Sequence, residues 1–230
     1  MSGQKRSGWY YVFVGCAVLF LAGVIAVGAG VFMTVRWTKS FKNEMEDPQL
    51  RTAGALEAMN TETLPEGYYV AINIRAPFGF GNLVMLSDGE PSDNANDFAN
   101  GDHLFVYFEG PGWDDDWKQF ARGGDPPTDA LSELNIHIDA AEHLGKGELT
   151  VDDMEVFYST TVGDISAEGV EHDGGAFSIL LVRCPQGDKR SRIIVWSGPP
   201  PAEGAEDRVR GTTGDPVRIS EMLGNFRLCG

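Results

Sequence analysis

Three features of the sequence predict an α+β fold, an antiparallel sheet of about six to seven strands flanked by helices and preceded by one N-terminal transmembrane helix. Strand-like runs follow one another through short turns, as antiparallel neighbours do. Two Asp-Pro pairs each introduce a helix whose apolar stripe needs a surface to cover. Ahead of both lies an uncharged apolar run long enough to cross a bilayer. The 230 residues thus divide into a short basic tail (1–8), a transmembrane helix (9–36), a juxtamembrane linker (37–46) and an acidic domain (47–230).

No charged residue occurs from Ser7 to Val35, and the core of that run, "YYVFVGCAVLFLAGVIAVGAGVFMTV", is 26 residues long. At 1.5 Å per residue such a helix reaches roughly 39 Å against a hydrocarbon thickness of about 30 Å, so it spans with some tilt. Trp9, Tyr10 and Tyr11 at one end and Trp37 at the other suit an interfacial aromatic belt. The competing explanation is a cleavable signal peptide, with Lys5 and Arg6 as its basic start and "AVGAG" as a small-residue site. Signal cores usually run only about 7 to 15 residues, and here the run continues through "VFMTV", which favours an uncleaved anchor. Ala22, Ala26 and Gly30 form a small-xxx-small ridge through which two such helices can approach, a route to a homo-oligomer.

The domain begins with "DPQLRTAGALEAMN", in which Asp47 caps a helix, Pro48 takes its first position, and Leu50, Ala53, Leu56 and Met59 fall on one side. Asn60 ends it. "GYYVAINIRA" reads as a strand with Tyr68, Val70, Ile72 and Ile74 alternating with Tyr69, Ala71 and Asn73. "PFGFG" turns it into the return strand "NLVMLS". The Asn/Asp-rich stretch from Asp88 to Asp102 offers no register with EF-hand spacing, so it reads as a surface loop. "HLFVYFE" is the third strand. After it, "WDDDWKQFAR" places Trp113, Trp117 and Phe120 on one helical face. Its three aspartates then sit in the first turn, where the macrodipole favours them, and Asp114 is spaced to pair with Lys118. "GGDPPTDALSEL" breaks and restarts the chain. "GELTVDDMEVFYSTTV" reads as a hairpin turning near Asp152 and Asp153, and "GAFSILLVRC" with "RSRIIVWSG" as another. "PPPAEGAEDRVRGTTG" reads as a connection that packs nothing obvious. Finally, "DPVRISEMLGNF" aligns Ile219, Met222, Leu223 and Phe226 as an apolar stripe.

Chemistry-bearing constellations are few. "HIDAAEH" gathers His137, Asp139, Glu142 and His143, and an extended "NIHID" would put His137 and Asp139 on one face, the start of a metal site. Neither H-E-x-x-H nor zinc-type Cys/His spacing accompanies it, and a surface turn accounts for the same letters. Cys184 with His172 is the one Cys/His combination worth naming, and nothing in the chain's order brings the two together. There is no G-x-S-x-G elbow and no phosphate loop. No cofactor is implied.

From Trp37 onward the chain carries all 34 acidic residues and 15 of the 18 basic ones, a formal charge of −19. Phosphate backbones repel such a surface, which disfavours nucleic-acid binding. The Lys/Arg residues flanking the span, Lys5 and Arg6 against Arg36, Lys39 and Lys42, are nearly balanced and hardly decide topology. Cys184 and Cys229, the two cysteines outside the span, are candidates for a disulfide that would favour an exported domain; two unrelated thiols would suit a cytosolic one.

With "TETLPEGYYVAINI" following an Asp-Pro helix and a span, residues 47–228 resemble a loose group of uncharacterised single-span bacterial membrane proteins whose outer domain opens with an "LPxGY" strand. The element order is also similar to PsbP-like folds, antiparallel sheets flanked by helices. The resemblance implies a fold and no catalytic residues. The expectation is a single-span protein, held in the lipid bilayer through residues 9–36, that presents an acidic domain to a protein partner in the cell envelope. Its rivals are a membrane-tethered hydrolase using a metal at His137, Asp139 and His143, and a cytoplasmic-facing regulatory domain.

Overall fold

In the computed structural model the described residues are 47–76, 81–89, 101–112, 115–127, 129, 132, 136–167, 170–184 and 190–229. The predicted span and its Ala22, Ala26 and Gly30 ridge lie outside them, as do Trp113 and Asp114. Among the described residues no helix is long and apolar enough to cross a membrane.

Among the described residues seven strands form one antiparallel sheet in the order β1-β2-β3-β7-β6-β5-β4. Their spans are β1 Tyr69–Arg75, β2 Asn82–Ser87, β3 Leu104–Pro111, β4 Ile136–Val151, β5 Met154–Ala167, β6 Val170–Arg183 and β7 Arg190–Gly198. Two meanders, β1 to β3 and β4 to β7, meet where β3 pairs with β7. The connection between them carries the chain from the middle of the sheet to its far edge and holds a short helix, α2 (Asp115–Phe120).

The central strands are apolar on both sides because both faces of the sheet are covered. In β3, Phe105 and Tyr107 join one core cluster and Leu104 and Val106 the other. β6 and β7 divide likewise, with Leu180 and Ile194 on one face and Ile179 and Ile193 on the opposite one. The first face receives helix α1 (Pro48–Ala58) and helix α3 (Pro216–Leu223), with Phe226 at 5.4 Å, centroid to centroid, from Phe105. The second receives Trp117 and Phe120 of α2, set edge to face.

Both Asp-Pro starts form as their chemistry dictates. Asp47 Oδ1 accepts from the Gln49 and Leu50 amides at 2.9 and 3.3 Å, and Asp215 Oδ1 from the Val217 amide at 3.0 Å. Asn60 stands past the end of α1 with a φ of 48°, a left-handed stop that Asn tolerates. In α3 the stripe of Ile219, Met222, Leu223 and Phe226 is buried. Asp152, also left-handed with a φ of 51°, turns β4 into β5 through a two-residue hairpin.

Several expectations need correction. The buried side of α1 is Arg51, Ala55 and Met59; Ala53 is exposed and Leu50 is 49 % exposed. The helix has rolled so that Gly54 rests on Asn73 of β1, a close approach that only a residue without Cβ allows. In β1 a bulge between Val70 and Ile72 breaks the alternation, so that Tyr68 and Val70 join one cluster while Ala71 and Ile72 share the other. Lys118 pairs with Asp115 at 2.8 Å, its i,i+3 partner; the expected Asp114 pairing lies outside the described residues. "HIDAAEH" is no turn: it lies within the 16-residue edge strand β4, paired with β5 over its length. Alanine and glycine give this run little strand propensity, and its register comes instead from the tight turn at Asp152 and Asp153.

The connection after β7 also packs more than its composition suggests. Thr212 and Thr213 are buried, and a hydroxyl relay runs from Thr160 to Ser178 (2.9 Å), from Ser178 to Thr213 (3.1 Å) and from Thr213 to the Ala176 carbonyl (3.3 Å). Arg208 of the same connection donates to Glu142 on the outer strand β4 at 2.6 Å. Cys184 and Cys229 are joined by a disulfide, with Cα atoms 5.4 Å apart, that fastens the chain after α3 to the end of β6.

Candidate functional site

The residues that sequence pointed to are spread along β4. His137 pairs across to Ser166, Asp139 to Asp164 and His143 to Thr161, and all three are exposed. Cross-strand partners share a face, so His137 and Asp139 stand on one side of the sheet. Ala141 is an extra residue in a bulge between Ala140 and Glu142, and it turns His143 to the other side. Among the described residues no group of three or more His, Cys, Asp or Glu side chains converges.

Two polar clusters that the sequence did not advertise stand at opposite ends of the sheet. The first joins Asp88, His103 and Arg218. Asp88 accepts from the His103 backbone amide through Oδ1 and from its Nδ1 through Oδ2, both at 2.8 Å. With Nδ1 donating, Nε2 is left to accept from Arg218 Nη2 at 3.3 Å. Arg218 also donates to the Gly211 carbonyl at 2.6 Å and lies over the Trp196 ring, 5.6 Å from its centroid. Trp196 Nε1 in turn donates to the Tyr68 hydroxyl at 3.3 Å, and burial pushes the Tyr68 phenol up. An Asp-His pair suggests a general base, yet the position a nucleophile would occupy on Nε2 is held by a guanidinium. Chemically the arrangement is a clasp: it closes the neck of the connection between β2 and β3 and ties it to α3.

The second cluster centres on the buried carboxylate Glu109. Asn82 Nδ2 donates to one oxygen at 2.9 Å, and Arg190 Nη1 and Arg192 Nη2 reach the other at 3.1 and 3.3 Å. The register makes this possible, because Asn82, Glu109 and Arg192 lie side by side on β2, β3 and β7. Tyr107, two residues along β3, is bonded to Arg192, and burial first and the Glu109 charge second raise its phenol far above the ordinary range. Arg192 Nη1 stands 3.2 Å from Cys184 Sγ. The strand sequences mark the charges, but only the pairing of β3 with β7, 81 residues apart at Arg190 and Glu109, brings them together.

A cleft of about 380 Å³ opens where the end of α2 meets the outer strands, between Phe120, Gly124, Lys146 and Phe157. On the other face of β4, Gly147 leaves room for the Tyr158 ring, which packs with the first cluster. Lys146 Nζ bridges the cleft to the Gly123 carbonyl at 2.7 Å. Its cation is thus turned to the wall, with Asp125 Oδ1 at 3.5 Å. No protein-family model and no curated protein sequence matches the chain.

Proposed function

We propose that the chain is a single-pass membrane protein whose residues 9–36 lie in the lipid bilayer and whose acidic α+β domain acts outside the cytoplasm by binding or scaffolding a protein partner, without catalysis. The observation that carries this reading is the Cys184–Cys229 disulfide, since such bonds persist in oxidising compartments and are rare in reducing ones. The charge of −19 from Trp37 onward supports a partner with a basic surface and disfavours nucleic acid. The polar clusters support a binding role too, because their ionisable groups are spent on holding the sheet's ends together. Self-association through Ala22, Ala26 and Gly30 belongs to the same proposal.

The test is labelling of intact cells with a membrane-impermeant maleimide, with and without prior reduction. Export predicts no labelling of Cys184 or Cys229 until a reductant is added, then labelling of Cys229, the more exposed of the two. Two thiols that stay protected in intact cells under both conditions and react only after lysis place the domain in the cytoplasm and refute the reading.

A further inference from the structure

The two sulfurs of the disulfide sit in unlike surroundings. Cys184, at the end of β6, is 7 % exposed, whereas Cys229 is only partly buried against the core. Beside Cys184 Sγ stands Arg192 Nη1 at 3.2 Å, with the Leu228 carbonyl oxygen farther off at 3.9 Å. Arg190 and Arg192 both reach the carboxylate of Glu109, which holds the Arg192 guanidinium in place beside the sulfur. Tyr107, bonded to Arg192, is kept neutral by burial.

Thiol–disulfide exchange depends on which sulfur an incoming thiolate can reach and on how well the departing sulfur bears negative charge. Access selects Cys229 for attack. The guanidinium selects Cys184 for departure, because an adjacent cation favours the thiolate. We propose that Cys184–Cys229 is a thiol-exchange site with a set direction: the thiolate of a small thiol or a dithiol oxidoreductase adds to Cys229, and Cys184 leaves as a thiolate against Arg192.

In this step the bond from the incoming sulfur to Cys229 forms as the Cys229–Cys184 bond breaks, and its electron pair goes to Cys184 Sγ. The incoming thiol loses its proton to solvent beforehand. A second thiolate from the reductant then attacks the mixed disulfide and releases Cys229. Two thiols become one disulfide, and the protein's disulfide becomes two thiols. The tail keeps other holds meanwhile: Thr61 Oγ1 donates to the Asn225 carbonyl at 2.8 Å, Asn60 Nδ2 donates to the Arg227 carbonyl at 3.1 Å, and Phe226 and Leu228 remain buried. A mixed disulfide on Cys229 therefore displays a covalent partner on a domain that stays folded. The inference does not depend on which side of a membrane the domain occupies.

The experiment uses the full chain, with Cys16→Ala to remove the remaining thiol, in detergent micelles with reduced glutathione as probe. Samples are acid-quenched, alkylated, digested and mapped by mass. Glutathione on Cys229 with alkyl on Cys184 is expected to exceed the reverse product by about tenfold or more. Equal or reversed products overturn the proposal, as do two free thiols in air-oxidised protein. Arg192→Gln is expected to slow the first exchange by about tenfold. Because that variant leaves Glu109 buried with less compensation, Glu109→Gln/Arg192→Gln, which removes both charges, is run beside it with the same expectation. An unchanged rate in the double variant overturns the role of Arg192.

Discussion

Gly54→Ala tests the seam between α1 and the sheet, and there the structure reverses the sign that helix propensity gives. On an exposed helix surface, Gly to Ala gains about 1 kcal/mol. Here an added Cβ would overlap the side-chain amide of Asn73 far inside van der Waals contact. Asn73 is 0 % exposed, so its side chain has little room to yield. Overpacking of this kind costs about 1 to 3 kcal/mol, which cancels the propensity gain at its low end and leaves a net loss of about 2 kcal/mol at its high end. Shortening the partner should invert the result: Asn73→Ala removes an amide, unpaired among the described residues, whose burial costs about 1 to 3 kcal/mol, and in that background Gly54→Ala should stabilise by about 1. The assay is urea denaturation of the four proteins of the cycle by tryptophan fluorescence. With a slope near 2 kcal/mol/M, the single variant's midpoint falls by up to roughly 1 M, where propensity alone would raise it by about 0.5 M. If Gly54→Ala stabilises both backgrounds equally, α1 does not rest on Asn73 and the argument fails.

Reducing the disulfide should lower stability by about 4 kcal/mol, from chain entropy over a separation of 45 residues, and the same urea titration with and without reductant measures it. Trp117→Ala, which removes a main cover of the second sheet face, should cost about 3 to 5 kcal/mol, whereas Asp115→Asn on the exposed side of α2 should leave the midpoint where it is. Glu109→Ala should cost about 3 to 5 kcal/mol by removing the buried carboxylate that Arg192 reaches at 3.3 Å, read as a lost or strongly shifted thermal transition. The Asp215 carboxyl is held below its usual range by the Gly211 amide first and the Val217 amide after it. Its contribution is therefore present above the ordinary carboxylate pKa of about 4 and is lost as pH falls through the depressed folded-state value; Asp215→Asn should flatten that part of an acid titration of stability.

Much of this architecture is local and so was legible in the sequence. The Asp-Pro starts, the stop at Asn60 and the turn at Asp152 and Asp153 depend on residues within a few positions of one another. The strands "HLFVYFE" and "RSRIIVWSG" carried their own signal because a strand covered on both faces is apolar at nearly every position. The sequence by itself also determined the order of elements, the excess of acid and the two cysteines free to pair outside the apolar run.

What only the tertiary structure decided is which faces meet. The buried side of α1 follows from a glycine fitting over Asn73, and a hydrophobicity pattern that favoured Leu50 has no knowledge of that contact. A single extra residue, Ala141, sends His143 away from His137 and Asp139, since strand side chains alternate and one insertion flips those that follow, here until a second irregularity between His143 and Gly145 restores the order. The clasp at His103 and the charge cluster at Glu109 assemble from residues separated by as many as 115 and 81 positions. Their members carry no local signature, because each is an ordinary polar residue until β3 and β7 pair and α3 folds back. The sulfur chemistry is of the same kind: sequence supplied the cysteines, and the pairing of strands set a guanidinium beside one of them.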